Sequence, residues 1–218
     1  MVMTAKELIS ILRRNANPAN VVGMARYGIS TRNTLGVSIP YMRQLARAHR
    51  RQHELALALW ASDLHEARIL ATLVDDPQQV TATQMEAWVK ELDSWDICDQ
   101  LCNNLFRRTP YARAKALAWS RRKSEFVRRA GFVLMACLAV HDKAAADRDF
   151  EAFFDAIRAG ANDDRNFVRK AVNWALRQIG KRNPALRRRA IAVATEVAAL
   201  NTKSARWIAA DALRELTP

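Results

Sequence analysis

Glycine and proline are scarce in this chain, with six of each among 218 residues. Strict apolar–polar alternation is nearly absent as well, so a fold built from many strands and turns is excluded. Cysteine is limited to Cys98, Cys102 and Cys137. An odd number inside apolar helical patterns gives no disulfide framework and fits a reducing cytoplasm. Cys98 and Cys102 stand one helical turn apart, but no histidine pattern completes a tetrahedral metal site, so core thiols are expected. His49 and His53 share that spacing in a polar, basic stretch and are expected to be solvated. No apolar run reaches membrane-spanning length. Met1 to Leu12 lacks the charged start and apolar run of a signal peptide. A cytoplasmic protein, associated with the nucleoid through DNA binding, is the expectation.

Acidic residues are also in deficit. Thirty-five Lys and Arg face 22 Asp and Glu, a net charge of +13. Such an excess favours a polyanionic partner, nucleic acid above all. Half the residues are hydrophobic, enough to bury a large core in a single domain over residues 1–218. Leu, Ala and Arg dominate and favour helix. Apolar residues recur at intervals of three and four, giving about twelve helices. Leu8, Ile11 and Leu12 mark the first, Pro18 opens the second, and Ile39-Pro40 opens the third. Later helices are expected near 52–61, 64–74, 83–91, 95–106, 110–120, 124–141, 147–159, 165–181, 184–199 and 203–216. Gly28 to Ser38 is the one clear loop of the first half.

The chain repeats itself. Phe126-Val127-Arg128-Arg129-Ala130 returns 41 positions on as Phe167-Val168-Arg169-Lys170-Ala171. Ala175-Leu176-Arg177 returns 37 positions on as Ala212-Leu213-Arg214, with Arg169 matching Arg206. His65-Glu66-Ala67-Arg68 is a more distant copy. A helical unit of this length points to an all-α, right-handed superhelix of HEAT-like or armadillo-like antiparallel helix pairs. Arg128, Arg129, Arg169, Lys170 and Arg206 all fall at the start of a unit's second helix, which would give the concave face a basic lining. Arg121-Arg122-Lys123 and Arg187-Arg188-Arg189 lie at helix ends and loops, and the second cluster reads as a solvated rim.

Within this pattern, Trp95-Asp96-Ile97-Cys98-Asp99 stands out. Asp93-Ser94 reads as a helix start whose side chains cap the first amides. Trp95 and Asp99, four apart, then share one face. An aromatic plate beside an acid, on a basic protein, suits chemistry on a sugar–phosphate polymer. Asp96 lies off that face and reads as a cap. Trp60, Trp88, Trp119 and Trp207 sit in apolar stripes and are expected in the core.

Nearly the whole chain resembles the HEAT-like repeat alkylpurine DNA glycosylases, the AlkD-like DNA alkylation repair proteins. The resemblance is carried by Met24-Ala25-Arg26-Tyr27, Trp95 to Asp99, Phe126 to Ala130, Lys170-Ala171-Val172-Asn173-Trp174-Ala175-Leu176-Arg177, and Lys181-Arg182-Asn183-Pro184. It implies that Asp99 is the catalytic aspartate and Trp95 the tryptophan one turn before it. Arg129 matches the family's phosphate- and site-facing arginine, with Arg128 the alternative in a shifted register. Trp174 and Tyr27 match its second cleft tryptophan and its N-terminal tyrosine. Arg169 and Lys170 would add DNA contacts. The sequence departs from the family where Gly28-Ile29-Ser30-Thr31 replaces a longer helical stretch. Some members lack the acid or bind branched DNA with little excision.

The implied activity is hydrolysis of the N-glycosidic bond of cationic alkylated purines, 7-methylguanine and 3-methyladenine, in duplex DNA. No metal, cofactor or obligate protein partner is implied. Chemistry agrees with the residues. The alkylated base carries a positive charge and leaves neutral, so no general acid is required. One ionised carboxylate can stabilise the oxocarbenium-like sugar and position water. A second carboxylate, usual in glycoside hydrolysis, is unnecessary. An Asp near a helix N-terminus stays ionised, and tryptophan faces attract cationic centres. No lysine near Asp99 suits a Schiff base, so lyase chemistry is not implied. Two other classes remain as alternatives: a non-catalytic binder of damaged or branched DNA, and a helical-repeat scaffold for an acidic protein. The glycosylase reading places Trp95, Asp99, Arg129 and Trp174 on one concave cleft.

Overall fold

The computed structural model describes residues 3–217. Met1, Val2 and Pro218, the extremes of the expected leader-free start and of the expected domain, lie outside the described residues. Among the described residues the secondary structure is helical throughout, in two compact bodies that meet in sequence at Thr109 and Pro110.

The first body carries α1 (Ala5–Arg14), α2 (Pro18–Arg26), α3 (Ile39–Ala46), α4 (His53–Trp60), α5 (His65–Val74), α6 (Ala82–Lys90) and α7 (Trp95–Gln100). Local chemistry sets the starts. Thr4 and Glu7 form a reciprocal capping box ahead of α1. Asn17 accepts the Asn20 amide in front of Pro18, whose missing N–H costs nothing at a first helical position. Helix α5 is buried on nearly every side and packs against α3, α4 and α7. Trp60 and Trp88 are buried as expected and stack in parallel, with ring centroids 4.1 Å apart. The Arg68 guanidinium lies 5.1 Å from the Trp60 ring centre, and Glu91 accepts from both Arg68 and the Trp60 indole. The histidines differ from expectation. His49 is buried, and His53 is half-buried against the carboxylate of Asp75 at 2.7 Å. The polar flank of this stretch folds over rather than facing water, because Asp75, far along the chain, supplies a partner. Burial pushes the Asp75 carboxyl pKa up, despite hydrogen bonds from His53 and Gln84.

The second body carries α8 (Ala112–Trp119), α9 (Glu125–His141), α10 (Glu151–Gly160), α11 (Asn166–Gly180), α12 (Pro184–Ala199) and α13 (Lys203–Leu216). Its packing is that of stacked helix pairs. Helices α9, α11 and α13 lie side by side in chain order, and α8, α10 and α12 form the second row. The repeat seen in sequence is physical here: Phe126 on α9 stacks on its copy Phe167 on α11, 5.8 Å between centroids. Asn183 caps α12 ahead of Pro184. Trp119 is fully buried, whereas Trp207 is 37% exposed. The apolar stripe around Trp207 ends at the ring itself, which instead carries the Arg169 guanidinium 4.8 Å from its centre.

Helices α8 and α9 approach so closely that Gly131 has no room for a side chain. A Cβ there would stand 2.4 Å from the Ser120 nitrogen and 2.9 Å from the Ala116 oxygen, both backbone atoms. Gly131→Ala should therefore destabilise the fold by about 1–3 kcal/mol through overpacking, although alanine is the better helix former by about 1 kcal/mol. Urea unfolding measures the net loss. An unchanged midpoint would mean that the two helices separate at little cost.

Candidate functional site

Two short segments of the first body build its most polar interior. Helix α7 starts at Trp95 as expected, with Ser94 as the residue before it. The Ser94 side chain does not cap the helix amides. Its hydroxyl donates instead to Asp96 Oδ1 at 2.5 Å and accepts the Ser30 amide at 3.2 Å. Asp96 is accordingly no simple cap. It also meets His65 Nε2 at 2.8 Å through Oδ2. Burial alone would raise the Asp96 pKa, but the hydrogen bond and charge of His65, with the Ser94 hydroxyl, bring it below the usual carboxylate value. Burial alone would lower the His65 pKa, yet Asp96, helped by Glu66 and Asp93, leaves it raised.

The rest of the turn faces outward more. Trp95 and Asp99 are both half-buried and one turn apart on α7. The Trp95 indole N–H donates to the carbonyl of Tyr27 at 3.0 Å, which fixes the ring plane. Tyr27 itself is 75% exposed at the end of α2. After Gln100 the helix widens into a π-helical turn over Leu101–Leu105, followed by a 3₁₀ turn over Phe106–Arg108. Such widened turns cluster at functional sites. Residue periodicity joins 95–106 into one regular helix, because apolar spacing does not resolve an inserted residue. Cys98 and Cys102 are core residues, as expected.

The Gly28–Ser38 loop is laced to both sides. Glu66, fully buried on α5, accepts the amides of Leu35, Gly36 and Val37 at 3.0, 2.7 and 3.3 Å. Gly36 adopts a positive φ of 78°, and a Cβ there would lie 2.2 Å from the Asn17 oxygen. Ser30 donates to Asp93 at 2.9 Å, and Arg32 forks onto Asp63 at 3.0 and 2.8 Å. Sequence reasoning missed His65, Glu66 and Ser30. The repeat copy His65-Glu66 was visible, but nothing local announces what those side chains meet.

In the second body, the repeated cations have distinct roles. Arg129 is buried and donates to the Phe167 carbonyl at 2.6 Å, joining α9 to α11. Arg128 pairs with Asp163 at 3.2 Å. Arg169 meets Asn166 at 3.2 Å besides lying over Trp207. Lys170 and Arg206 are exposed, and Arg206 bonds to Asn201 at the preceding turn. Trp174 is half-buried, one helical turn beyond Lys170. Arg121, Arg122 and Lys123, like Arg187, Arg188 and Arg189, are exposed. A cleft of about 410 Å³ at the ends of α9 and α11 is lined by Lys143, Asp147, Lys181, Arg182 and Asn183, and holds none of the expected site residues. No helix among the described residues is long and apolar enough to cross a membrane, and none of their His, Cys, Asp and Glu cluster as a metal site.

Comparison with known proteins places these observations. A family model described as "DNA alkylation repair enzyme" matches residues 8–216. A solved structure, described as a new family of proteins related to the HEAT-like repeat DNA glycosylases with affinity for branched DNA structures, superposes with a TM-score of 0.79. The two sequences are 18% identical, and the match covers 89% of this chain and 83% of that one. The chain therefore shares the HEAT-like fold of that group. Comparison with curated proteins gives no match.

Proposed function

The chain belongs to the DNA alkylation repair enzyme family, and from that membership we propose that it is a monofunctional DNA glycosylase. Its substrates are cationic alkylated purines, 7-methylguanine and 3-methyladenine, in duplex DNA. The observation that carries this reading is the placement of Trp95 and Asp99 on α7. Asp96 is engaged by His65 and Ser94 inside the first body. Asp99 stands one turn from Trp95 on a half-buried face of the same helix. This arrangement supports reading Asp99 and Trp95 as the acid and tryptophan that the resemblance assigns, with Asp96 held by His65 and Ser94.

The chemistry follows from charge. As the C1′–N bond breaks, its electron pair neutralises the alkylated purine ring, and positive charge moves to the sugar. The Asp99 carboxylate stabilises that charge, and the oxygen of a water molecule bonds to C1′ while its proton passes to bulk water. The products are the free base and an abasic site. Trp95 offers a π face to the same cation. In the second body Arg129, buried and bonded to the Phe167 carbonyl, is the proposed positioning residue of α9; Arg128, Arg169, Lys170 and Trp174, with Tyr27 in the first body, are the proposed DNA contacts. They hold phosphates and sugar edges and carry no sequence preference.

Binding should be strong at low salt. With about five phosphates neutralised, log affinity should fall against log salt with a slope of roughly −4 to −5. Fluorescence anisotropy on unrelated duplex sequences measures it, and a slope near zero would favour an acidic protein as partner. Activity is tested by incubation with methylated genomic DNA in chelator and identification of released bases. A protein that binds DNA yet releases none would be the binder of damaged or branched DNA, and affinity for branched DNA is described for the structural neighbour.

A further inference from the structure

We propose that His65 is a positioning residue of the α7 site: its imidazolium holds Asp96, and through Asp96 it fixes the turn that carries Trp95 and Asp99. The inference rests on the glycosylase reading for its effect on catalysis, but its geometry stands apart from that reading. His65 is only 3% exposed, and its ring reaches one carboxylate oxygen of Asp96 at 2.8 Å. The other oxygen of Asp96 takes the Ser94 hydroxyl, and Ser94 in turn takes the Ser30 amide. The His65 backbone amide donates to the Asn33 carbonyl at 2.9 Å. One residue therefore holds the start of α7 with its ring and the Gly28–Ser38 loop with its backbone. The loop begins next to Tyr27, whose carbonyl orients Trp95 at 3.0 Å. Hydrogen bonds thus run from His65 through Asp96 and Ser94 to Ser30, and the backbone of Ile29 and Gly28 leads from Ser30 to Tyr27 and so to Trp95.

A buried neutral imidazole could satisfy Asp96 with a single N–H, but the surroundings favour the cation. Asp96 on α7, Asp93 just ahead of it and Glu66 on α5 all act to hold the proton on His65, and its pKa is raised above the ordinary 6.5. The nearby cations pair with other carboxylates: Arg32 of the loop with Asp63 and, more distantly at 3.9 Å, with Asp93, and Arg68 of α5 with Asp63 and Glu91. The sign of the linkage is fixed by these directions. The His65 contribution is fully present below 6.5 and is lost as pH rises through the raised value. The Asp96 contribution is present above 3.8, its ordinary value, and is lost as pH falls through its lowered one. The pair is therefore charged, and α7 held, between those two limits. Deprotonation of His65 loosens these links on the alkaline side.

The test uses the full chain and three variants: His65→Leu, His65→Gln and Asp96→Asn. Single-turnover release from methylated duplex is followed across pH, with DNA affinity measured in parallel. His65→Leu should slow release about ten- to a hundred-fold, the usual effect of slight misplacement, with DNA affinity unchanged. His65→Gln keeps a hydrogen bond to Asp96 and should restore most of the rate, but without the alkaline decline of the wild type. Asp96→Asn should reproduce that loss of pH dependence. If His65→Leu fails to fold, the other two variants decide. A spectroscopic arm is independent of base release. The Trp95 indole N–H resonance should shift with the same midpoint as the His65 ring in the wild type, and should not titrate in His65→Gln. A Trp95 signal indifferent to His65 titration, or a pH profile shared by wild type and His65→Gln, would overturn the proposal. A wild type that releases no base while Trp95 still follows His65 would defeat the glycosylase reading and leave the positioning role standing.

Discussion

Asp99→Asn is expected to slow base release about a hundred- to a thousand-fold. Asparagine keeps the shape of the side chain and removes its charge, so it withdraws stabilisation from the sugar cation while leaving the half-buried face of α7 in place. DNA affinity should hold or rise, because a negative charge leaves a surface that meets phosphates. Loss of rate without loss of binding is the signature of a group that acts on the transition state. Single-turnover kinetics at saturating protein separate the two. Full excision by Asp99→Asn would remove Asp99 from the mechanism and return attention to Asp96. That return would need Asp96 to leave both His65 and Ser94.

The second large effect concerns stability. Glu66→Leu should cost about 3–5 kcal/mol, because three backbone amides lose their acceptor and each unsatisfied buried donor costs about 1–3 kcal/mol. Leu35, Gly36 and Val37 all point at this one fully buried carboxylate. The positive φ of Gly36 and its contact with Asn17 prevent the loop from turning to other acceptors cheaply. Glu66→Gln retains one acceptor oxygen but turns an amide toward the same N–H groups, so it should fall between the two. Urea unfolding gives the loss, and hydrogen exchange should show faster opening at residues 35–37. A wild-type unfolding midpoint for Glu66→Leu would mean that water replaces the carboxylate without penalty.

These two residues mark what the sequence could and could not reveal. The placement of Asp99 was legible because helix spacing sets it one turn from Trp95 on α7. The helices were legible for local reasons: caps such as Asn17 and Asn183 precede prolines, and apolar spacing carries the rest. The repeat was legible to the point that its two phenylalanines stack on one another. Glu66 was seen only as part of a repeat copy. Its partners lie about thirty residues upstream on a loop whose path no local pattern encodes. The same holds for His65 with Asp96, for His53 with Asp75, and for Trp207, whose ring looked apolar in sequence and sits under Arg169. The π-helical turn after Gln100 escaped for a different reason, since one extra residue in a helix hardly alters apolar spacing.

The most direct test of the account is a duplex carrying a single 7-methylguanine, incubated with wild-type protein and with Asp99→Asn in the presence of a chelator. The account predicts free 7-methylguanine and an alkali-labile abasic site with the wild type, and no more than a trace of either with the variant. A wild type that binds this duplex and leaves the glycosidic bond intact would contradict it.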